Sequence, residues 1–330
     1  MPHFWHNASI TQSDTTQLSP RICSQFRANP PQPLPSPTGI PVHRATTTTE
    51  VATITHFLEA TFGNPPTTPT FSPSLQPSDI LLYVTDGSNT IVGTVRYTYC
   101  AHMDNTKFHV IDCFCIAPAW RRHGVGTYLL SELHALTMSL GLQYSLFLKE
   151  GAPLYQETHP IYSSTYVYMR NCNSNRNSNH PNVLSLSHDT ACRLIEIYTQ
   201  LYPNTLALVR NDTNTKQIYW RLWRDNNHHM ILASFQDSFQ IHPTTQTAIG
   251  WCSGWLESAT EPAPNARDRA ITEIMESVPF DWIWADNAWI RSTANNSRKT
   301  QWYQDGAFHW YAYQWKPVHP INGRSYIIHV

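Results

Sequence analysis

Arg121, Arg122, Gly124 and Gly126 follow closely on an apolar run and open directly onto a second one, in the stretch VIDCFCIAPAWRRHGVGTYLL. Glycines let a backbone approach an anion closely. The free N–H groups and dipole of a helix start favour negative charge, and the arginines add to that field. This is phosphate-holding chemistry. No Gly-Lys-[Ser/Thr] follows, so the loop is not a Walker loop, and it has too few glycines for a dinucleotide fingerprint.

Other reactive residues are sparser. Asp281, Asp286 and Asp305 are the second half's candidates for a base, but the first two sit in or beside an apolar strand and are also read as structural. Of the seven cysteines, none forms a C-x-x-C pair, and Cys113-x-Cys115 is a strand spacing. Free thiols in a reducing, cytoplasmic setting are expected. The 17 histidines show no metal-ligand spacing, so no metal is expected. His228 and His229 are placed on opposite faces of a strand. The tail, SYIIHV, stays apolar up to Val330, which is unusual for an end that could fray. Phe4-Trp5 at the front is a costly pair to leave in water.

The chain of 330 residues carries 22 Lys+Arg and 23 Asp+Glu, a formal net charge of -1. That balance points to neither a nucleic-acid nor a membrane-surface partner. No signal peptide or membrane-spanning run is evident, so no stable membrane insertion is expected.

The elements that must position the loop are legible. TTTTEVATITHFLEATFG is a helix with Thr47 and Glu50 as capping box and Val51, Ile54, Leu58 and Phe62 on one face. DILLYVTD, TIVGTVRYTYC and KFHVIDCFCIA are strands. After the loop comes a helix with Val125, Leu129, Leu133, Leu136 and Leu140 on its buried face, ended by Gly141. LQYSLFLKE and STYVYMR are strands. The polar stretch at 171–182 is read as a linker. The same order then returns: helix HDTACRLIEIYTQLYP, stopped by Pro203; strands HHMILASFQDSFQ and TAIGWCSGWLES; helix RDRAITEIMESV; strand FDWIWAD; and finally FHWYAYQWK and the tail. The expected divisions are an extended arm at 1–45, a first α/β half at 46–170, the linker at 171–182 and a second half at 183–330.

With a strand before it and an amphipathic helix after it, Arg121-x-x-Gly124-x-Gly126 resembles the acyl-CoA loop of the GNAT acyltransferase superfamily. The longer chain resembles a eukaryotic-type N-myristoyltransferase, a tandem of two such halves. The resemblance is carried by FWHNASI, PQPLPSPTGIPVHRATTTTEVATITHFLEATF, IDCFCIAPAWRRHGVG, the segment from EGAPL to HPIYSSTYVYMR, RAITEIMESVPFDWIWADN and YQDGAFHWYAYQWKPV. It implies an α/β fold of two GNAT-like halves in a continuous, saddle-shaped mixed β-sheet flanked by helices.

The resemblance also implies transfer of a long acyl chain, most simply myristoyl, from acyl-CoA to the N-terminal glycine amine of a peptide or protein by a monomeric enzyme. It puts the pyrophosphate on Arg121, Arg122, His123, Gly124, Val125, Gly126 and Thr127, with Cys115 and Ile116 on the strand leading in and Phe4 and Trp5 over the acyl-CoA. It makes the backbone N–H groups of Cys113 and Phe114 an oxyanion hole and the Val330 carboxylate the base. Direct attack is preferred to a covalent Cys113 intermediate, because no partner His is evident. Phe71, Lys149, Gly151, Asp305 and Gly306 fall along the peptide. Tyr166, Tyr168, Trp251 and Trp255 line the groove or belong to the core.

Two departures stand out. The loop after the first helix, GNPPTTPTFSPS, lacks the family's carboxylates, and Lys149 stands where the family has a threonine that helps bind the amine. An acetyltransferase acting on a small amine or peptide, and a non-catalytic acyl-CoA-binding protein, are the alternatives.

Overall fold

The computed structural model describes residues 23–25, 40–62, 70–71, 75, 79–102, 107–142, 144–152, 160–170, 180–209, 217–258, 265–290, 301–313, 315–317 and 325–328. Phe4, Trp5, Val330 and most of the expected linker lie outside them.

In the first part of the chain the order is β1 (Cys23–Gln25), β2 (Val42–Arg44), α1 (Thr48–Phe62), β3 (Thr70–Phe71), β4 (Ile80–Thr85), β5 (Ile91–His102), β6 (Lys107–Ile116), a 3-10 turn (Pro118–Trp120), α2 (Val125–Ser139), β7 (Tyr144–Glu150) and β8 (Tyr162–Arg170). Then come β9 (Val183–Leu186), α3 (His188–Leu201), β10 (Leu206–Val209), β11 (Tyr219–Arg224), β12 (Met230–Ile241), β13 (Ala248–Glu257), α4 (Ala266–Glu276), β14 (Trp282–Asp286), α5 (Asn287–Ile290), β15 (Gln301–Tyr313), β16 (Trp315–Pro317) and β17 (Tyr326–Ile328).

The expected local signals explain the helices. In α1 the Thr47 and Glu50 backbones and side chains cap one another, with Thr47 N–H donating to Glu50 Oε2 at 2.9 Å and Glu50 N–H to Thr47 Oγ1 at 3.2 Å. Helix α2 stops at Gly141, whose φ of +68° lets Leu142 N–H return to Thr137 O at 2.9 Å. Leu140 falls beyond the helix and is exposed rather than buried as expected. In α3, Ser187 Oγ accepts from Thr190 N–H, and the helix ends ahead of Pro203.

One unit occurs twice. Strands β4, β5 and β6 form an antiparallel meander, α2 crosses over, and β7 returns parallel to β6. Strands β11, β12 and β13 form a second meander, α4 crosses over, and β14 returns parallel to β13. The two units join one 15-stranded mixed sheet. The end of β5 pairs with β10, and β15 lies between β7 and β8. Because β13 pairs with β12, β14 and β17, the path β14-β8-β15-β7-β6-β5-β10-β17-β13 closes on itself.

Helix α1 packs Val51, Ile54 and Leu58 with Leu81, Cys113 and Cys115. Helix α2 packs Val125, Leu129 and Leu133 with Leu82, Val95 and Ile111. Helix α3 covers Ala207, Trp220 and Ile327, and α4 covers the large cluster that contains Trp223, Ile249 and Trp282.

The two-histidine strand start is corrected. His228 and His229 lie in the hairpin turn ahead of β12, His228 has φ +64°, and Asp225 Oδ1 accepts the N–H groups of Asn227 and His229 at 2.9 Å. An Asx turn of this kind outcompetes strand pairing for two residues.

Candidate active site

Strand β6 breaks towards its C-terminal end. Thr94 pairs with Cys115 and Arg96 with Asp112, so one extra residue stands on β6, and Cys113 takes φ +49°. Such a bulge redirects the strand. Parallel pairing with β7 runs from Phe108↔Tyr144 to Ile111↔Phe147 and stops there. Among the described residues, Asp112–Ile116 therefore have no partner strand on that side, while Leu148–Glu150 continue in pairing with β15.

Thr94 Oγ1 donates to Cys113 O at 2.9 Å. In a planar trans peptide the N–H points opposite to the C=O. With the Cys113 carbonyl held on the β5 side, the Phe114 N–H points away from β5, to the side where β6 has no described partner strand. That is the geometry of a fixed donor for developing negative charge. Below it lies Arg96, fully buried, which donates to Asp112 Oδ1 at 2.7 Å from Nε, to Asp112 Oδ2 from Nη2, and to Asp79 at 3.4 Å. This ion pair ties down the residue that precedes the break. The sequence reading did not pick out Thr94, Arg96, Asp112 or Asp79. A charge within an alternating strand looks like a solvent-facing position until its partners are known.

The loop beyond β6 is shaped for an anion. Arg122 has φ +66° and Gly124 has φ +83° at the N-cap of α2, where no side chain caps the helix. Tyr128 N–H to Gly124 O, at 2.9 Å, is the first intrahelical bond there, so the N–H groups of Val125, Gly126 and Thr127 have no partner within the helix. Val125 is buried and anchors the helix start. Arg121, Arg122 and His123 are exposed, with Arg121 Nε donating to Ile116 O at 3.1 Å and His123 Nδ1 2.9 Å from Arg121 O. A Cβ on Gly126 would lie 3.0 Å from Phe114 Cζ, so the helix start and the break are in contact.

The thiols beside the break do not look nucleophilic. Burial pushes the Cys115 thiol up to about 11, against the opposing pull of Arg121. Cys113 is buried under α1 with Cys115.

The second unit carries an equivalent break. Ser234 pairs with Gly254 and Phe235 with Cys252, so β13 holds one extra residue. Before the break, Ile249–Trp251 pair with β14; after it, Gly254 and Trp255 pair with Ile327 and Tyr326. The tail strand β17 thus occupies the place that no described strand takes in the first unit. A Cβ on Gly254 would lie 2.7 Å from Ile327 Cγ1 and 2.4 Å from Ser234 Oγ, so only glycine leaves room for the tail.

The tail is also tied to a buried carboxylate. Asp286 is fully buried at the end of β14. Its Oδ2 accepts from Tyr162 at 2.9 Å and Tyr326 at 3.0 Å; its Oδ1 accepts from Ser164 and from Ala288 N–H, the latter at 2.8 Å. Burial raises its pKa, opposed by those donors. Tyr166 and Tyr326 share a hydrogen bond of 3.0 Å.

The remaining candidates separate by face. Tyr166 is fully buried against Trp284 and Phe308, and Trp251 packs on Trp284. Trp255 is fully buried. The Tyr168 hydroxyl donates to Gln240 at 2.7 Å. These aromatics are core. Lys149 alternates with Leu148 and Glu150 and donates to the carbonyls of Glu150 and Ala152, so its charge is held by the end of its own strand. Gly151 has φ +81° and accepts from His309 Nε2 at 2.9 Å. Gly306 pairs with Tyr166, Asp305 is the extra residue of a bulge in β15, and Phe71 pairs through its backbone with Gln240. Among the described residues no group of three or more His, Cys, Asp or Glu is placed to hold a metal, and no helix is long and apolar enough to cross a membrane.

Residues 52–163 match the model of the Acetyltransferase (GNAT) family. That stretch holds the first meander, the break, the anion loop and α2. No curated protein sequence matches the chain. Among solved structures, the fold is similar to that of Saccharomyces cerevisiae N-myristoyltransferase with bound myristoyl-CoA and inhibitors, at TM-score 0.62 and 12% identity, covering 98% of this chain and 93% of that one. A second structure of the yeast enzyme, with bound myristoyl-CoA, matches at TM-score 0.57 and 10% identity, covering 98% and 96%.

Proposed function

We propose that this protein is an acyltransferase that moves a long acyl chain, myristoyl in the simplest case, from acyl-CoA to the N-terminal glycine amine of a peptide or protein. The observation that carries the proposal is the asymmetry of the two breaks. Among the described residues the first break has no strand beside it and adjoins an anion loop, whereas the second is paired with β17 of the chain's own tail. One thioester site and one tail strand then belong to a single centre. The likeness of fold to an enzyme with bound myristoyl-CoA supports the long-chain donor.

In this reading the pyrophosphate lies on the first-turn N–H groups of α2 with Arg121 and Arg122, and His123, Gly124 and Thr127 shape the loop. Cys115 and Ile116 flank the donor, and Phe4 and Trp5 cover it. The Phe114 N–H, with that of Cys113, receives the thioester oxygen as it gains charge. The Val330 carboxylate takes the proton from the glycine ammonium, whose ordinary pKa is about 8. The C–N bond forms, the C–S bond breaks, and the CoA thiolate leaves and is protonated. The groove for the peptide runs past Phe71, Gly151, Asp305 and Gly306. The divisions at 1–45, 46–170, 171–182 and 183–330 belong to the same proposal. So do a monomeric state and a cytoplasmic setting.

Mass spectrometry of the purified protein for a co-purifying acyl-CoA tests the donor. A C14 acyl-CoA supports the reading, and acetyl-CoA alone favours an acetyltransferase.

A further inference from the structure

The tail strand β17 is short, and its pairing alone does not fix where it ends. It pairs in parallel with Leu206–Leu208 of β10 and antiparallel with Gly254 and Trp255 of β13. A one-residue slip would turn every side chain to the opposite face. A two-residue slip would keep the faces and put one isoleucine in the place of Tyr326. It would carry the strand, and whatever follows Ile328, about 7 Å along the sheet.

Polar contacts from two tail residues oppose that slip. Ser325 Oγ accepts from the Tyr198 hydroxyl at 3.0 Å at the rim of the sheet. Inside the core, Tyr326 reaches Asp286 at 3.0 Å and Tyr166 at 3.0 Å, and packs its ring on Trp289 with centroids 4.5 Å apart. Asp286 is held in turn by Tyr162 and Ser164 of β8 and by Ala288 N–H. Its acceptor position is therefore fixed by two elements other than the tail.

A buried carboxylate is a poor choice for stability alone, since an apolar side chain of similar volume commonly does as well. The best-attested gain from such a group is register. Only a hydroxyl at the depth of Tyr326 can satisfy Asp286 from the tail, and no isoleucine can replace it. We infer that Asp286 is a positioning residue which, through the Tyr326 hydroxyl, sets the register of β17, the strand that ends two residues before Val330, the base of the acyl transfer proposed above. The inference rests on that proposal, because the terminal carboxylate is its base.

The test uses the full chain with myristoyl-CoA and a glycine-starting peptide. Asp286→Asn keeps the side-chain volume, and Tyr326→Phe removes a single hydroxyl. Each is expected to lower kcat at least tenfold while the Kd for myristoyl-CoA stays within twofold. The double variant should fall no further than the worse single one, because both act along one path. The acid limb of the kcat–pH profile should also move, because the base leaves its surroundings; a merely structural loss lowers Tm without moving that limb. Either single variant with kcat within twofold of the parent overturns the inference, and so do single losses that multiply in the double variant.

A glycine added after Val330 separates the two ideas. If it abolishes turnover while Asp286→Asn and Tyr326→Phe do not, the terminal base stands and the positioning role falls. If the added glycine is harmless, the terminal base falls, and the positioning role with it.

Discussion

Gly254→Ala presses directly on the tail. The new methyl would lie 2.7 Å from Ile327 Cγ1 and 3.1 Å from Ile327 Cγ2, on one side, and 2.4 Å from Ser234 Oγ, on the other. Ordinary contact begins near 3.4 Å, so Ile327 must withdraw by about 0.7 Å. Overpacking of this kind costs about 1–3 kcal/mol. Releasing the tail would cost more, because Tyr326, Ile327 and Ile328 are all buried and full burial of such side chains is worth roughly 5–9 kcal/mol together. The strand therefore stays paired and shifts. A sub-ångström displacement of a reacting group costs about tenfold to a hundredfold in rate. Differential scanning calorimetry should show Tm lowered by roughly 2–6 °C, and steady-state kinetics a matching loss in kcat. Affinity for myristoyl-CoA, measured by isothermal titration, should be unchanged, because the loop at Arg121 is on the other unit. A variant with lowered Tm and kcat within twofold of the parent would show that the tail's position has no bearing on the rate.

Three further outcomes follow from the geometry. Removing Arg121 or Arg122 to Ala should weaken acyl-CoA binding about tenfold each, for the loss of a charge-assisted contact, and raising salt should narrow the difference; titration at two ionic strengths checks this. Thr94→Val frees the Cys113 carbonyl from its anchor at 2.9 Å, so kcat should fall about tenfold to a hundredfold with acyl-CoA affinity retained. Burial lowers the pKa of His134, so the stability tied to its neutral form is present above the ordinary histidine value of about 6.5 and is lost as pH falls through the lowered folded value. Denaturant titrations from pH 7 downwards should show that loss, and His134→Leu should flatten it.

What could be read in the sequence was local. The capping box of α1, the Gly141 stop of α2 and the strand–loop–helix around Arg121 all rest on residues close together in the chain. Their physics needs no partner from elsewhere. The break in β6 was harder to see, because a cysteine rather than a glycine takes the positive φ and what holds it is Thr94, on the neighbouring strand. Strands β10 and β11 went unnoticed: Leu206–Val209 is too short to stand out, and Tyr219–Arg224 mixes tryptophan with arginine. The burial of the tail was expected from its apolar residues. The reason they are buried lies in β13, whose break leaves a place for Ile327 beside Gly254. Asp286 looked structural and is buried as expected, but its link to Tyr326 spans 40 residues and no spacing rule reaches that far.

The central claim is acyl transfer to a glycine amine at the break in β6. Incubation of the protein with myristoyl-CoA and peptides that start with glycine or with alanine, read by intact-peptide mass spectrometry, tests it most directly. The account predicts a myristoyl adduct on the α-amine of the glycine peptides alone. Transfer of acetyl but not myristoyl from the matching thioesters, or no adduct on any peptide while acyl-CoA remains bound, would contradict it.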